Sequence, residues 1–166
     1  MTPAWTFDSL AAAHADDLYR YAYWLARDRH AAEDIVQEAL IRGWKGFAGL
    51  REPAAARRWL FSIVRNEFLR ALAQKPPQAE DIDDLDIADE RSGTGDTDLR
   101  EALLALPVAY AEPLALQVLG GFNCAEIAAM IGASEGATMT RLSRARQALR
   151  RAAGPAGAGA RKGAWR

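Results

Sequence analysis

The stretch FNCAEIAAMIGASEGATMTRLSRARQALRR, residues 122–151, decides the fold of the C-terminal half, because its signals indicate two helices joined by a short turn. Asn123 and Glu126 have the spacing of a capping box at the start of the first helix. Gly132 permits a tight turn, and Ser134 can cap the helix that follows. The stretch therefore predicts a helix-turn-helix.

Each of these two helices is predicted to have one apolar face. The first would bury Ile127, Ala128 and Ile131, and the second Thr138, Leu142, Ala145 and Leu149. The second would then turn outward Thr140, Arg144, Gln147 and Arg151, with Arg141 at the flank. Such a helix fits the DNA major groove, where its first residues meet base edges and later arginines neutralise phosphates. An ordinary amphipathic helix with a solvated basic face is the alternative, but cap, turn and arginines together favour DNA binding.

The rest of the chain also predicts helices. Apolar residues recur at helical spacing, as in Leu18, Tyr21, Ala22 and Leu25, and no segment alternates like a half-buried strand. Helices are expected over about 7–27, 31–47 and 53–74, followed by a second helical block from about Asp98 to Ala153. The fold class is all-α, with two small helical domains. Pro113 falls where a helix should be under way, which predicts a late start or a bend.

Charge divides the chain into blocks. Pro76 and Pro77 end the third helix, and residues 76–100 carry nine acidic and two basic side chains. Residues 135–166 carry eight basic and one acidic, which suits a polyanionic partner such as DNA. The predicted organisation is an N-terminal domain over 1–75, a flexible acidic linker over 76–98, a helix-turn-helix domain over 99–153 and a disordered tail over 154–166.

Composition argues against an enzyme and against a membrane protein. His14, His30 and Cys124 are scattered without the spacing of metal ligands or of a nucleophile and its base, so no catalytic residue, metal or cofactor is expected. The histidines are interpreted as helix-surface or turn residues and the cysteine as a packing residue. One cysteine cannot form an intramolecular disulfide, and no apolar run approaches about 20 residues. The expected location is the cytoplasm, without membrane insertion.

The second predicted helix has an apolar face and an opposite charged face. Asp34, Gln37, Glu38 and Arg42 lie on the charged face, with Ile41 among them. Periodicity alone is consistent with a solvated face carrying one stray apolar residue, the commoner case, and with a docking surface. The third helix offers Trp59, Leu60, Ile63, Val64 and Phe68 as core candidates. The loop before it joins Phe47 to several arginines, a composition that suits single-stranded nucleic acid.

Both halves resemble one family in the expected order. AEDIVQEALIRGW at 32–44 and RRWLFSIVRNEFLR at 57–70 resemble the second conserved region of extracytoplasmic-function (ECF) sigma factors, which belong to the sigma-70 superfamily. EALLALP at 101–107 and the helix-turn-helix resemble the fourth region. The resemblance implies an alternative sigma factor that binds core RNA polymerase, directs promoter-specific transcription initiation and is controlled by an anti-sigma factor. A stand-alone helix-turn-helix regulator is the alternative.

The resemblance also implies site residues. Core-polymerase contacts, to the β′ clamp coiled coil and the β subunit, would come from Asp34, Gln37, Glu38, Ile41 and Arg42. Melted minus-10 promoter DNA would meet Phe47, Arg51, Arg57, Arg58 and Asn66. Duplex minus-35 DNA would meet Ser134, Glu135, Ala137, Thr140, Arg141 and Arg144. The linker would thread into the polymerase, although a solvated tether fits its composition equally well.

The second helix of the predicted helix-turn-helix, the recognition helix, departs from the family pattern. Where the family commonly has Gly-Thr-Val-Lys-Ser-Arg, this chain has Gly-Ala-Thr-Met-Thr-Arg at 136–141. Met139 therefore replaces a frequent basic contact, which should weaken nonspecific phosphate attraction, and Thr138 replaces a buried valine. Promoter preference cannot be transferred from relatives.

Overall fold

The computed structural model describes residues 5–74 and 96–157. Its α-helices are α1 (Phe7–Ala26), α2 (Arg29–Gly46), α3 (Ala56–Ala73), α4 (Asp96–Ala105), α5 (Val108–Val118), α6 (Cys124–Ile131) and α7 (Glu135–Gly157). Short 3-10 helices cover Phe47–Gly49 and Pro53–Ala55. The described ranges contain no strand, so the all-α prediction is confirmed.

The chain divides into two compact units, residues 1–78 with 115–123 and residues 79–114 with 124–166. Within the first unit, α1, α2 and α3 pack against one another. Thr6 caps α1 through a capping box with Ser9, and the Asp28 carboxylate accepts from the Ala31 N–H at 2.8 Å to cap α2. The core of this unit holds Leu18, Tyr21, Leu25, Ile35, Leu60, Phe61, Val64 and Phe68.

Gly43 permits the close packing of α2. A Cβ at this position would lie 3.0 Å from the Phe7 ring and 3.5 Å from Leu60. Because that first contact is tighter than side chains normally tolerate, a glycine here lets α2 approach both neighbours. The predicted apolar face is confirmed by the burial of Ile35, Ala39 and Gly43.

The second unit is built around α7. Leu142, Ala145 and Ala148 of α7 pack with Leu106 and with three residues of α5 in one buried cluster, the α5 residues being Tyr110, Ala111 and Leu114. Gly132 adopts a left-handed φ of +69° in the turn between α6 and α7. Ser134 Oγ accepts from the Ala137 N–H at 3.1 Å. The helix-turn-helix prediction is confirmed, including its turn and the cap of its second helix.

Two local expectations were wrong. Helix α5 begins at Val108 and runs through Pro113, so the predicted late start is wrong, while the alternative of a bend stays a prediction. Pro113 is fully buried inside the protein. Helix α7 continues to Gly157, so residues 154–157 are helical and not part of a disordered tail. The rest of the predicted tail, and the linker at 76–95, lie outside the described residues.

Candidate functional site

The predicted polymerase contacts form one stripe on α2. Asp34, Gln37, Glu38, Ile41 and Arg42 are all exposed, and their spacing of three and four residues places them on the face opposite the buried residues of the helix. Ile41 is 43% exposed in the middle of the charged residues. Trp44 follows Ile41 by one turn at the edge of this α2 stripe and is 66% exposed. The stripe is therefore charged with an apolar centre and an aromatic edge.

Arg42 differs from the rest of the stripe because it also reaches α3. Its guanidinium pairs with the carboxylate of Glu67, which Arg70 contacts from the same helix at 3.2 Å. The Glu67 side chain is 7% exposed, whereas about half of each arginine side chain remains exposed. Burial of a carboxylate is costly unless charged hydrogen bonds compensate it, and here two guanidinium groups do so. This Arg42–Glu67–Arg70 cluster ties the stripe to α3.

The predicted minus-10 residues have different surroundings. Arg51, Arg58 and Asn66 are exposed, and the last two are separated by two helical turns on one side of α3. Phe47 is partly buried, with its ring 4.9 Å from the Trp5 ring and 5.7 Å from the Phe7 ring, both edge to face. The structure thus leaves two arginines and an amide open to a nucleic acid, while the Phe47 ring packs against the start of α1.

Arg57 is the most heavily bonded member of the predicted minus-10 set. Its Nε donates to the Gly120 carbonyl at 2.7 Å, and Nη2 donates to the Leu119 carbonyl and to the Asp17 carboxylate. The guanidinium also lies 5.6 Å from the centre of the Phe61 ring. These bonds lie within the first unit and occupy the guanidinium.

His14 lies beside this arginine and is not the plain surface residue that the sequence indicated. Its Nδ1 is 3.4 Å from Arg57 Nη1, and its ring is partly buried. Burial lowers the pKa of His14, the positive charge of Arg57 lowers it further, and Asp17 opposes the change. Cys124 is partly buried against the core cluster of the second unit, as expected of a packing residue. Nowhere in residues 5–74 and 96–157 do three His, Cys, Asp or Glu side chains lie together as a metal site.

The outward face of α7 carries most of the predicted minus-35 residues. Glu135, Thr140 and Arg144 are exposed, as is the capping residue Ser134, while Ala137 and Arg141 are partly buried at the flank. Arg144 Nη1 donates to the Tyr110 hydroxyl at 3.1 Å, which orients the guanidinium along the helix surface. Gly136, Met139, Ser143 and Gln147 are also exposed. Small and polar side chains therefore dominate the first turns of this face.

Comparison with known proteins assigns the chain to a family. Residues 10–76 match the family described as sigma-70 region 2, and residues 96–149 match sigma-70 region 4. The chain is 32% identical over 154 residues to the ECF RNA polymerase sigma factor SigM of Mycobacterium tuberculosis, a match that covers 90% of this chain and 78% of that one. The chain belongs to the ECF sigma factors.

Further similarities agree with this membership of the ECF sigma factors. SigE of Mycolicibacterium smegmatis is 33% identical over 160 residues, covering 89% of this chain but 61% of that longer protein. The fold matches the sigma factor RpoE of Bartonella quintana, solved in complex with the anti-sigma factor NepR, with a TM-score of 0.71, 28% identity and coverage of 88% and 95% of the two chains. The prediction of an alternative sigma factor is thus confirmed. No helix in the described part of the chain has the length and apolarity to span a bilayer.

Sequence reasoning did not single out three residues of this ECF sigma factor as part of a site. Trp44 is the last residue of the motif at 32–44, and its helical spacing from Gln37 and Ile41 is the signal that places it on the stripe. Met139 was noted only as the loss of a basic residue. Glu67 carried no local signal, because a charged residue in an amphipathic helix normally indicates a solvated position.

Proposed function

We propose that this ECF sigma factor binds core RNA polymerase through the α2 stripe, holds melted minus-10 DNA with its N-terminal domain and reads duplex minus-35 DNA with α7. The polymerase, through its β′ clamp coiled coil and β subunit, is the partner, and the polymerase supplies all catalytic groups. The proposed domains are residues 1–75 and a helix-turn-helix domain that begins with α4 at Asp96, not at residue 99 as predicted, and they are joined by the acidic linker. Linking two weak DNA contacts on one enzyme raises their effective concentration, so selectivity arises in the complex.

The exposed apolar centre and aromatic edge of the α2 stripe carry this proposal. Ile41 and Trp44 are both exposed beside charged side chains, and packing within the described residues of the first unit covers neither of them fully. An apolar centre surrounded by charges is the usual composition of a protein-binding surface, with burial of the apolar groups supplying affinity and the charged rim supplying orientation.

For minus-10 DNA, the exposed residues support a contact through Arg51, Arg58 and Asn66. Guanidinium groups can neutralise phosphates, and the amide can bond to a base edge that melting has exposed. The bonds of Arg57 and the ring contacts of Phe47 support positioning roles for these two predicted residues. In this arrangement Phe47 holds the segment before α3 against the start of α1.

For minus-35 DNA, the small residues at the start of α7 support close approach of the helix to base edges. Ser134, Glu135 and Thr140 would face the groove floor, with Ala137 at the flank, and Arg141 and Arg144 would meet phosphates or guanine. The Tyr110 hydroxyl fixes Arg144 before DNA arrives, so less side-chain freedom is lost on binding.

We also propose control by an anti-sigma factor. The fold match to RpoE in complex with NepR and the relation to other ECF sigma factors support this partner class. An anti-sigma factor that covers the α2 stripe would compete directly with the polymerase for Ile41 and Trp44. Binding of one partner would then exclude the other.

Transcription with purified core polymerase tests the proposal. The full chain is added to core enzyme with a library of genomic fragments, and promoter-specific transcripts that require the chain are expected. The variant Glu38→Arg with Ile41→Asp should abolish core binding without loss of helix, because both positions are exposed. A control with matched changes of charge is Asp16→Arg with Ala12→Asp, at exposed positions of α1, which should bind normally.

Two results would contradict the proposal. Unchanged core affinity in the α2 double variant would show that the stripe is not the polymerase surface. Tight binding to an operator without polymerase, together with no chain-dependent transcript, would favour a stand-alone helix-turn-helix regulator.

A further inference from the structure

Met139 is an exposed apolar side chain on the face of α7 that the proposed function assigns to DNA. It is 62% exposed, although α7 buries Leu142, Ala145 and Ala148 on its opposite side. Its neighbours one turn away along the helix are Gly136 and Ser143, and a Cβ placed on Gly136 would meet no atom within 4 Å. Within the described residues of the second unit, Met139 therefore projects without cover.

The small residues around Met139 determine how far it can reach. Gly136, Thr140 and Ser143 extend little beyond the helix backbone, so α7 can approach the floor of a major groove closely. The unbranched methionine side chain then projects beyond them and can adapt to an irregular surface. Among the exposed residues in the first turns of α7, Met139 is the long apolar group.

The chemistry of the major groove narrows what Met139 can recognise. Guanine, adenine and cytosine present hydrogen-bond donors or acceptors there, and the methionine thioether can offer at most a weak acceptor. Thymine adds a C5 methyl group, which is the apolar feature of the major groove. An apolar side chain that faces a methyl group removes water from both, whereas one that faces a polar base edge leaves that edge unsatisfied.

We infer that Met139 is a specificity-determining residue that packs against the C5 methyl of a thymine in the minus-35 element. The inference rests on the proposed function, because it requires α7 to lie in the promoter groove. It gives Met139 a role different from that of a basic residue at the same position, since a lysine would attract phosphates regardless of sequence. Compared with a lysine, Met139 thus contributes less nonspecific attraction to DNA phosphates and more discrimination between bases.

Single-methyl substitution in the promoter tests the inference. Polymerase holoenzyme reconstituted with the full chain is first used to select a promoter from genomic fragments. Each minus-35 thymine, on either strand, is then replaced in turn by deoxyuridine, which removes only the C5 methyl. Replacement of one particular thymine should lower holoenzyme affinity about three- to fivefold, the loss expected for one buried methyl-sized group. Replacement of any other thymine should leave the affinity unchanged.

Variants of Met139 connect this methyl effect to the side chain. Holoenzyme with Met139→Ala should bind the thymine and uracil promoters with equal affinity. Met139→Leu should keep most of the native preference for thymine over uracil, because leucine is also apolar. Met139→Lys should also lose the preference for thymine over uracil, and its promoter affinity should depend more strongly on salt concentration. Circular dichroism checks that each variant keeps the helical content of the native chain.

The possible outcomes separate the two proposals. Absence of any chain-dependent transcript would overturn the proposed function and the methyl contact with it. Selective transcription that is insensitive to every uracil replacement would overturn the methyl contact alone. A Met139→Ala defect of equal size on thymine and uracil promoters would also overturn it, because Met139 would then act on the fold or on a protein partner.

Discussion

The buried carboxylate of Glu67 on α3 pairs with the guanidinium of Arg42 on α2, so a residue of the α2 stripe is also part of the packing of the N-terminal domain. Arg70 approaches the same carboxylate oxygen at 3.2 Å from the next turn of α3. Any change at Arg42 therefore alters helix packing as well as the surface. Ile41, its neighbour in sequence, has no such second role in the structure.

Glu67→Gln should lower the free energy of unfolding of the N-terminal domain by about 1–3 kcal/mol, the range for hydrogen bonds that involve charged groups. The amide would keep the shape of the side chain but lose the charge that compensates two guanidinium groups. Urea unfolding followed by tryptophan fluorescence measures the change. Glu33→Gln breaks an exposed pair with Arg29 and should cost less than about 1 kcal/mol. Equal losses in the two variants would contradict the assigned importance of the buried cluster.

Residues at the ends of helices were predictable because their signals are local. Gly132 and Ser134 define a turn and a cap within a few residues of sequence, and the structure has both. Glu67 was not predictable, because its burial depends on Arg42, which another helix brings near. Arg57 illustrates the same limit, because composition indicated a free basic side chain. In the structure its guanidinium donates to backbone carbonyls of residues that are distant in sequence. Contacts between helices determine such roles, and periodicity does not encode them.

Trp44→Ala should weaken binding to core polymerase about tenfold while leaving the stability of the domain nearly unchanged. A large aromatic ring at the edge of an interface contributes through burial on binding, and this ring is largely exposed in the free chain. Affinity for purified core enzyme, measured by fluorescence anisotropy of the labelled chain, gives the change. Leu72→Ala, at an exposed apolar position on α3, should leave core affinity intact. A defect of similar size in both would indicate a general effect of surface hydrophobicity.

Gly120→Ala should destabilise the first unit by about 1–3 kcal/mol, the usual range for overpacking. A Cβ at this position would lie 2.3 Å from the Phe122 ring and 2.6 Å from the Leu116 carbonyl oxygen, so the turn must shift. The shift would also move the Gly120 carbonyl that accepts from Arg57. Thermal unfolding measures the loss, with Gly49→Ala as the control because a Cβ there meets no atom within 4 Å. A Gly120→Ala variant as stable as the control would contradict the packing described for this turn.

Acidification should destabilise the first unit partly through His14. Its pKa is lower in the folded chain than in the unfolded chain, chiefly through burial and then through the charge of Arg57, with Asp17 acting in the opposite sense. The unfolded chain therefore binds the proton more readily, and stability is lost as pH falls through the unfolded value of about 6.5. The loss is complete below the folded pKa.

The His14 contribution is measured by urea unfolding at about pH 7.5 and about pH 5.5, which bracket the unfolded value. The native chain should lose stability between these conditions, and His14→Gln should lose less. His30→Gln changes an exposed histidine of α2 and should behave like the native chain. If His14→Gln and the native chain show the same pH dependence, His14 does not couple protonation to folding.

Thr138→Val should change the stability of the second unit by less than about 1 kcal/mol, despite the full burial of Thr138. The Thr138 hydroxyl donates to the Ser134 carbonyl at 2.9 Å, and that carbonyl also accepts from the Thr138 N–H at 3.0 Å. Valine has the same branched shape, and removal of the hydroxyl leaves the carbonyl with its backbone bond, so no buried group loses its last partner.

Thr138→Ala provides the contrast for this prediction. Alanine removes the methyl as well as the hydroxyl and leaves a gap beneath α7, which should cost about 1–2 kcal/mol more than valine. Thermal unfolding of both variants distinguishes packing from hydrogen bonding at this position. Equal losses of more than about 1 kcal/mol in the valine and alanine variants would show that the hydroxyl bond, and not the branched shape, is what this site requires. In the expected order of stability, native threonine lies close to valine and both lie above alanine. This order explains how the chain tolerates a polar atom at a position that its family commonly fills with an apolar side chain.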